Sequence, residues 1–208
     1  MVKLSKSSKM KVNGKQVKSF DLEARQTCPG SKVNGEVVEV CKQCYATKGS
    51  FTWPASVALR KHNQQDYHRD EWVDDMVKLI GNDKYFRAFS SGDFESTELI
   101  LKFTALAHRC PSTAFWCPTR SDQLSSMQPY LSVLASLPNV TMRPSANFIG
   151  FKRERPGVNS YVIRPSDIPE AATLGVKVCP VTLPGSTQKS CNTCTTCYTD
   201  AKVAYVIH

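Results

Sequence analysis

Long apolar runs are missing from this 208-residue chain. No stretch approaches the roughly 20 apolar residues of a membrane-spanning helix, so no membrane partner is expected. Residues Met1 to Lys18 are polar and lysine-rich and lack the apolar core of a signal peptide. Histidine is scarce, and His62, His68, His108 and His208 show no ligand spacing, which leaves them surface or capping roles. Full disulfide pairing within the chain is excluded, because the cysteines number nine. Together these absences favour a reducing cytoplasm, where thiols stay free for metal.

Acidic residues are also outnumbered, 18 against 27 basic, for a formal net charge of +9. A basic balance can indicate nucleic acid. Here six of the lysines (Lys3, Lys6, Lys9, Lys11, Lys15 and Lys18) crowd the N-terminal segment, and metal-bound thiolates would cancel much of the rest. A solubilising surface is the preferred reading. With 41% hydrophobic residues the chain can bury a core. The expected organisation is a basic extension or hairpin over 1–17, closed at Val12-Asn13-Gly14-Lys15, followed by one metal-binding domain over 18–208.

Strand patterns over 19–24, 85–89, 114–117, 140–143, 161–163, 176–178 and 203–207 alternate with helical ones. The helices begin at Pro54, after a cap at Asp70, at Ser96, between Ser121 and Leu137 with a break near Pro129, and at Ser166; 146–160 looks irregular. Such alternation predicts an α/β fold: a (β/α) barrel-like architecture, open or small, of about six or seven mostly parallel strands. Right-handed crossovers bring the strand C-terminal ends to one rim. Cys28, Gly92 with Asp93, Thr119 with Arg120, Arg143 with Ser145, and Cys179 all fall at predicted strand ends, so the cysteine-rich loops are expected at that rim.

The cysteines carry the chemistry. Cys191, Cys194 and Cys197 form a C-x2-C-x2-C run, the spacing of the first three ligands of a bacterial ferredoxin site. Cys28, Cys41 and Cys44 form a second group, C-x12-C-x2-C. Small buried hydrophobes do not recur at two-residue spacing, so thiolate ligation of a soft or borderline metal is the better account. Zinc would pair Cys41-x2-Cys44 with Cys191-x2-Cys194 and leave Cys28, Cys179 and Cys197 unexplained. Iron–sulfur chemistry uses more of them: one [4Fe-4S] cluster on Cys28, Cys41 and Cys44 with an open iron, another on Cys191, Cys194 and Cys197, with Cys179-Pro180 as fourth ligand. In a closed barrel both groups could share one cluster. Cys110 and Cys117 read as core or rim thiols, and Trp53, Trp72 and Trp116 as core.

Around the mouth, Asp93 is a candidate for binding a ligand's amine or for capping a helix near Phe94. Arg120 and Arg143 offer forked donors to a carboxylate, a phosphate or the anionic cluster itself. The sequence therefore supports an iron–sulfur protein with redox or radical chemistry at the barrel mouth, served by a small-molecule ligand or electron donor. It equally admits a non-enzymatic zinc- or cluster-stapled module that binds nucleic acid or a host protein.

Thr27-Cys28-Pro29-Gly30-Ser31, Cys41-Lys-Gln-Cys44-Tyr45-Ala46-Thr47-Lys48-Gly49, Phe89-Ser90-Ser91-Gly92-Asp93-Phe94, Cys179-Pro180 and the C-terminal run together resemble the bacteriophage gene-product-eighty-eight-like family. The resemblance extends from about Phe20 to the C-terminus. It implies a phage-encoded protein acting in the bacterial host cytoplasm and supplies no reaction. A second resemblance is to radical S-adenosylmethionine enzymes, which carry three cysteines after the first barrel strand and a Gly-Gly-Glu-like segment after the second. On that likeness Gly92 and Asp93 would bind S-adenosylmethionine. The C-x12-C-x2-C spacing departs from that family's tight C-x3-C-x2-C loop.

Overall fold

The computed structural model describes residues 1–151 and 154–207; His208 lies outside them. The first hairpin joins β1 (Ser5–Val12) to β2 (Lys15–Ser19). Its turn residues Asn13 and Gly14 both take positive φ, 49° and 75°, as an Asn-Gly hairpin turn requires. A second Asn-Gly turn, at 34–35, joins the two-residue strands β3 (Lys32–Val33) and β4 (Glu36–Val37) ahead of α1 (Glu39–Lys42).

Next come α2 (Pro54–Asp66), α3 (Trp72–Ile80), β5 (Tyr85–Arg87), α4 (Thr97–Arg109) and β6 (Ala114–Thr119). Pro54 opens α2, where a missing N–H costs nothing. The Ser96 hydroxyl caps α4 by accepting from the Leu99 N–H at 3.2 Å. α5 (Gln128–Ala135), β7 (Val140–Ile149), β8 (Ser160–Ile163), α6 (Ile168–Thr173), β9 (Lys177–Val178) and β10 (Val203–Val206) complete the chain.

The result is a mixed α/β protein with a mostly parallel eight-stranded sheet, ordered β1-β2-β5-β6-β7-β8-β10-β9. Only β1 runs antiparallel, against β2. The expected boundary at residue 17 falls inside β2, which pairs with β5. Among the described residues the edge strands β1 and β9 share no ladder and no closed barrel forms. The segment before β10 nevertheless reaches back to β1. Cys191 N–H donates to the Lys9 carbonyl at 3.0 Å and Asn13 N–H to the Asn192 carbonyl at 2.8 Å.

Four local expectations shift. The strand expected over 19–24 stops pairing at Ser19, although Leu22 N–H still donates to the Ser91 carbonyl at 2.9 Å. Asp70 makes no cap, since α3 begins after Glu71. Pro129 sits at the start of α5, where it initiates the helix that it was expected to break. β7 continues through part of the stretch read as irregular. Pro144 is its switch point: the ladder to β6 ends at Pro144 and the ladder to β8 begins at Ser145.

The sheet's two faces differ. Phe86, Phe115 and Cys117 join Phe20, Trp72, Leu99 and Phe103 in the main core under α3, α4 and α5. Phe20 meets Trp72 edge-on, with ring centroids 5.2 Å apart. Each such buried side chain contributes about 1.5–3 kcal/mol. Cys110 belongs to this core as well, as expected. Trp53 does not; it is 65% exposed.

On the opposite face Met10, Val12, Val17 and Trp116 pack with Tyr85, Cys191, Cys197, Tyr198 and Tyr205. This corrects the expectation that all cysteine loops crown the C-terminal rim. The loop of Cys28, Cys41 and Cys44 does, whereas Cys191–Cys197 lies against the sheet itself. The strand period of two explains it: alternate residues Tyr85, Trp116 and Tyr205 make a second apolar face. Among the described residues no α-helix contributes to that cluster, and the cysteine loop covers it.

Candidate metal centres

The N-terminal loop is fixed to the strand ends by close backbone packing. Gly30 lies directly on the Arg120 backbone, too close for any side chain, and its carbonyl accepts from Gln123 Nε2 at 2.6 Å. Glu39 of α1 accepts from Ile149 N–H at 3.3 Å, which lays the helix bearing Cys41 along the end of β7. Arg25, with a positive φ of 67°, donates to the carbonyls of Cys41 and Lys42 at 3.0 and 3.1 Å. Tyr45 closes the far side by donating to the Ser90 carbonyl at 2.6 Å.

Within this loop Cys28 has Cys41 and Cys44 among its neighbours. Burial, then the Asp93 carboxylate, pushes the Cys28 thiol up to about 12. Burial also raises Cys41, against a lowering influence from Arg120.

The second set is Cys179, Cys191, Cys194 and Cys197. All four line a single cavity of about 30 Å³, walled otherwise by apolar side chains such as Met10, Val17 and Trp116. Burial and the neighbouring thiols raise Cys191 to about 11. Burial raises Cys179 as well, against a lowering influence from the nearby Val181 and Thr182 backbone. Cys194 alone is lowered: Thr196, through its hydroxyl and N–H, and Lys177 outweigh its burial. Thr196 Oγ1 stands 3.3 Å and Lys177 Nζ 3.7 Å from the Cys194 sulfur. Tyr205 Oη stands 3.2 Å from Cys197 Sγ.

The candidate polar residues are placed as follows. Asp93 is 4% exposed, and its oxygens accept from Thr119 Oγ1 at 2.6 Å, Phe94 N–H at 2.7 Å and Arg120 N–H at 2.8 Å. It thereby ties the ends of β5 and β6; the cap of α4 belongs to Ser96. Burial raises its carboxyl to about 6 despite these donors. Gly92, at φ 86°, fits against Leu22 and Thr27. Arg120 Nε donates to the Ala146 carbonyl at 2.9 Å.

Arg143 is fully buried. It donates to Ser160 Oγ at 3.0 Å and to the carbonyls of Thr199, Asn159 and Ala201 at 2.7, 2.7 and 2.9 Å. Its fork thus anchors the loop that follows Cys197, and it lowers the Cys197 thiol against burial.

Sequence reasoning missed Arg87. Its guanidinium stacks on Trp116, 4.2 Å from the ring centroid, and donates to Tyr45 Oη at 3.2 Å and Met10 Sδ at 3.3 Å. It lies close enough to Cys191 and Cys197 to favour their thiolates. A cation set within an aromatic strand, Tyr85-Phe86-Arg87, is the signal that could have found it.

None of the nine cysteines is in a disulfide. Among the described residues no three Cys, His, Asp or Glu side chains converge on one ion-sized point, so each set is a neighbourhood of thiols rather than a closed ligand shell. The donor chemistry of the second set, all sulfur in a mostly apolar wall with hydroxyl and ammonium groups beside two of the sulfurs, fits a soft or borderline metal. Among the described residues no helix is long and apolar enough to cross a membrane.

No curated protein and no solved structure matches the chain. A family model described as Gene product 88 matches residues 2–200, a span that includes both cysteine sets and every element from β1 to β9. The chain belongs to the Gene product 88 family.

Proposed function

We propose that this is an iron–sulfur protein, phage-encoded and active in the bacterial host cytoplasm, with redox chemistry as its role. Cys179, Cys191, Cys194 and Cys197 would hold a [4Fe-4S] cluster, and Cys28, Cys41 and Cys44 a second site of three thiols. The observation that carries the reading is the shared cavity. Four thiols from the one connection between β9 and β10 line it, and Lys177 Nζ, Thr196 Oγ1 and Tyr205 Oη stand beside the sulfurs of Cys194 and Cys197. Bound there, the cluster supplies one-electron chemistry. The chain's own part is to exclude water, to offer N–H and O–H donors to sulfur, and to hold the cysteine loop through Arg143. The finer architecture belongs to the same proposal: a barrel-like curl of the sheet, with residues 190–192 spanning towards β1.

S-adenosylmethionine is left out of the reading: Asp93 already accepts three hydrogen bonds within the fold, and Gly92 is packed against Leu22 and Thr27. Zinc remains the competing metal, since four thiolates also suit it. Purification of the full chain without oxygen separates them. Brown protein with iron and acid-labile sulfide in equal amounts is expected. Colourless protein with stoichiometric zinc would overturn the cluster, and no metal at all would overturn both.

A further inference from the structure

Arg87 is a cation without a counter-charge. Among the described residues it makes no ion pair, and its buried Nε–H has no acceptor. The carboxylate of Asp21 acts on it, but that group already accepts from Ser90 N–H at 2.6 Å and Ser19 Oγ at 3.3 Å. The residue as a whole is half-buried, and leaving its buried Nε–H without an acceptor is costly unless a further acceptor or anion compensates. Trp116, on which Arg87 stacks, and Met10, to which it donates, both line the four-thiol cavity. Tyr45, its remaining partner, follows Cys44 in the other cysteine loop.

We infer that Arg87 is the charge-balancing residue of the C-terminal thiolate centre and, through Tyr45, the link that ties that centre to the N-terminal cysteine loop. The inference rests on the proposed iron–sulfur reading and adds a residue with a defined electrostatic task. One-electron reduction adds a negative charge to a cluster, and a fixed cation beside it favours the reduced form. Arg87 is therefore a positioning and tuning residue; it ligates nothing.

The test uses the full chain reconstituted anaerobically with ferrous iron and sulfide, then titrated with dithionite. Arg87→Met keeps the apolar stem over Trp116 and removes the charge. It should bind iron and sulfide at the wild-type ratio while its midpoint potential moves to a more negative value. Arg87→Lys keeps the charge but loses the planar fork, and should stay close to wild type. If Arg87→Met does not fold, Arg87→Lys decides: a wild-type potential supports the charge role, and a large negative shift overturns it. An unchanged potential in Arg87→Met at full iron content also overturns it. Failure of wild-type protein to take up iron and sulfide is a separate result, read without any variant, and it removes the underlying reading together with this one.

Discussion

The two cysteine sets use the same atoms in opposite electrostatic settings. Cys28 and its neighbours sit at the strand ends beside the Asp93 carboxylate, which with burial disfavours the thiolate. The C-terminal set sits on the sheet face among Arg87, Arg143 and Lys177, with side-chain hydroxyls of Thr196 and Tyr205 beside two of its sulfurs. Burial opposes charge on sulfur in both places, but the C-terminal set has more cations beside it and there Cys194 is lowered. Spacing brings thiols together, and their surroundings decide which set holds charge at low cost. By this comparison the C-terminal set is the firmer centre.

The most direct way to break the comparison is to remove thiols from one set at a time. Cys191→Ser with Cys194→Ser should abolish metal at the C-terminal set and take away most of the bound iron. Cys28→Ser with Cys44→Ser should cost the smaller share. Iron and sulfide analysis of both double variants checks this, and equal losses would erase the distinction.

Next in size is Arg143→Met. It leaves the carbonyls of Thr199 and Ala201 without their side-chain donor, while the Asn159 carbonyl keeps only the Val203 N–H, beside a strand position that is itself fully buried. A loss of about 3–5 kcal/mol is expected, measured by denaturant unfolding of metal-free protein, together with faster proteolysis after Cys197. The corresponding change near the other set, Arg120→Met, removes one such bond and should cost about 1 kcal/mol.

The pH dependence of stability sharpens the N-terminal side. Asp93 has its carboxyl raised from 3.8 to about 6 in the folded protein, so the folded state holds that proton more firmly than the unfolded chain does. Stability from this group is present in full below pH 3.8 and is lost as pH rises towards 6. The loss is about 3 kcal/mol. In chelator-treated protein Asp93→Asn should flatten the unfolding profile across that window. The nearby Cys28 and Cys117 thiols are both raised by burial and carry their charge changes at higher pH. An unaltered slope would show that Asp93 is not the group titrating. A smaller effect than that of Asp93 is expected for Gly92→Ala, whose new Cβ would meet Leu22 Cβ at 2.6 Å at a φ of 86°. About 2 kcal/mol of destabilisation is expected by thermal unfolding.

Much of this architecture is legible in the residues themselves. Asn13-Gly14 specifies the first turn, Ser96 the start of α4 and Gly81 the end of α3, because each is a local rule of backbone geometry. The rest depends on contacts between distant segments. Nothing local announces that β7 passes through Pro144, since the position is acceptable only where the strand changes partner. The thiol motifs are equally legible, but a C-x2-C-x2-C run carries no information about where its loop folds back. That destination is set by Tyr85, Trp116 and Tyr205, which are far apart in sequence and share a face only once the sheet exists. Arg143 stands at its strand position as expected, yet its fork serves the backbone of the loop after Cys197.

The bonds from Asn13 to Asn192 and from Cys191 to Lys9 have one more consequence. An open strand edge is a template for pairing with another copy, and here the cover for β1 arrives roughly 180 residues after it in the chain. During synthesis at about 5–20 residues per second, that edge waits about 9–36 seconds for its guard. The lysines along β1, at Lys6, Lys9 and Lys11, then keep nascent copies apart by mutual repulsion until the final loop is in place.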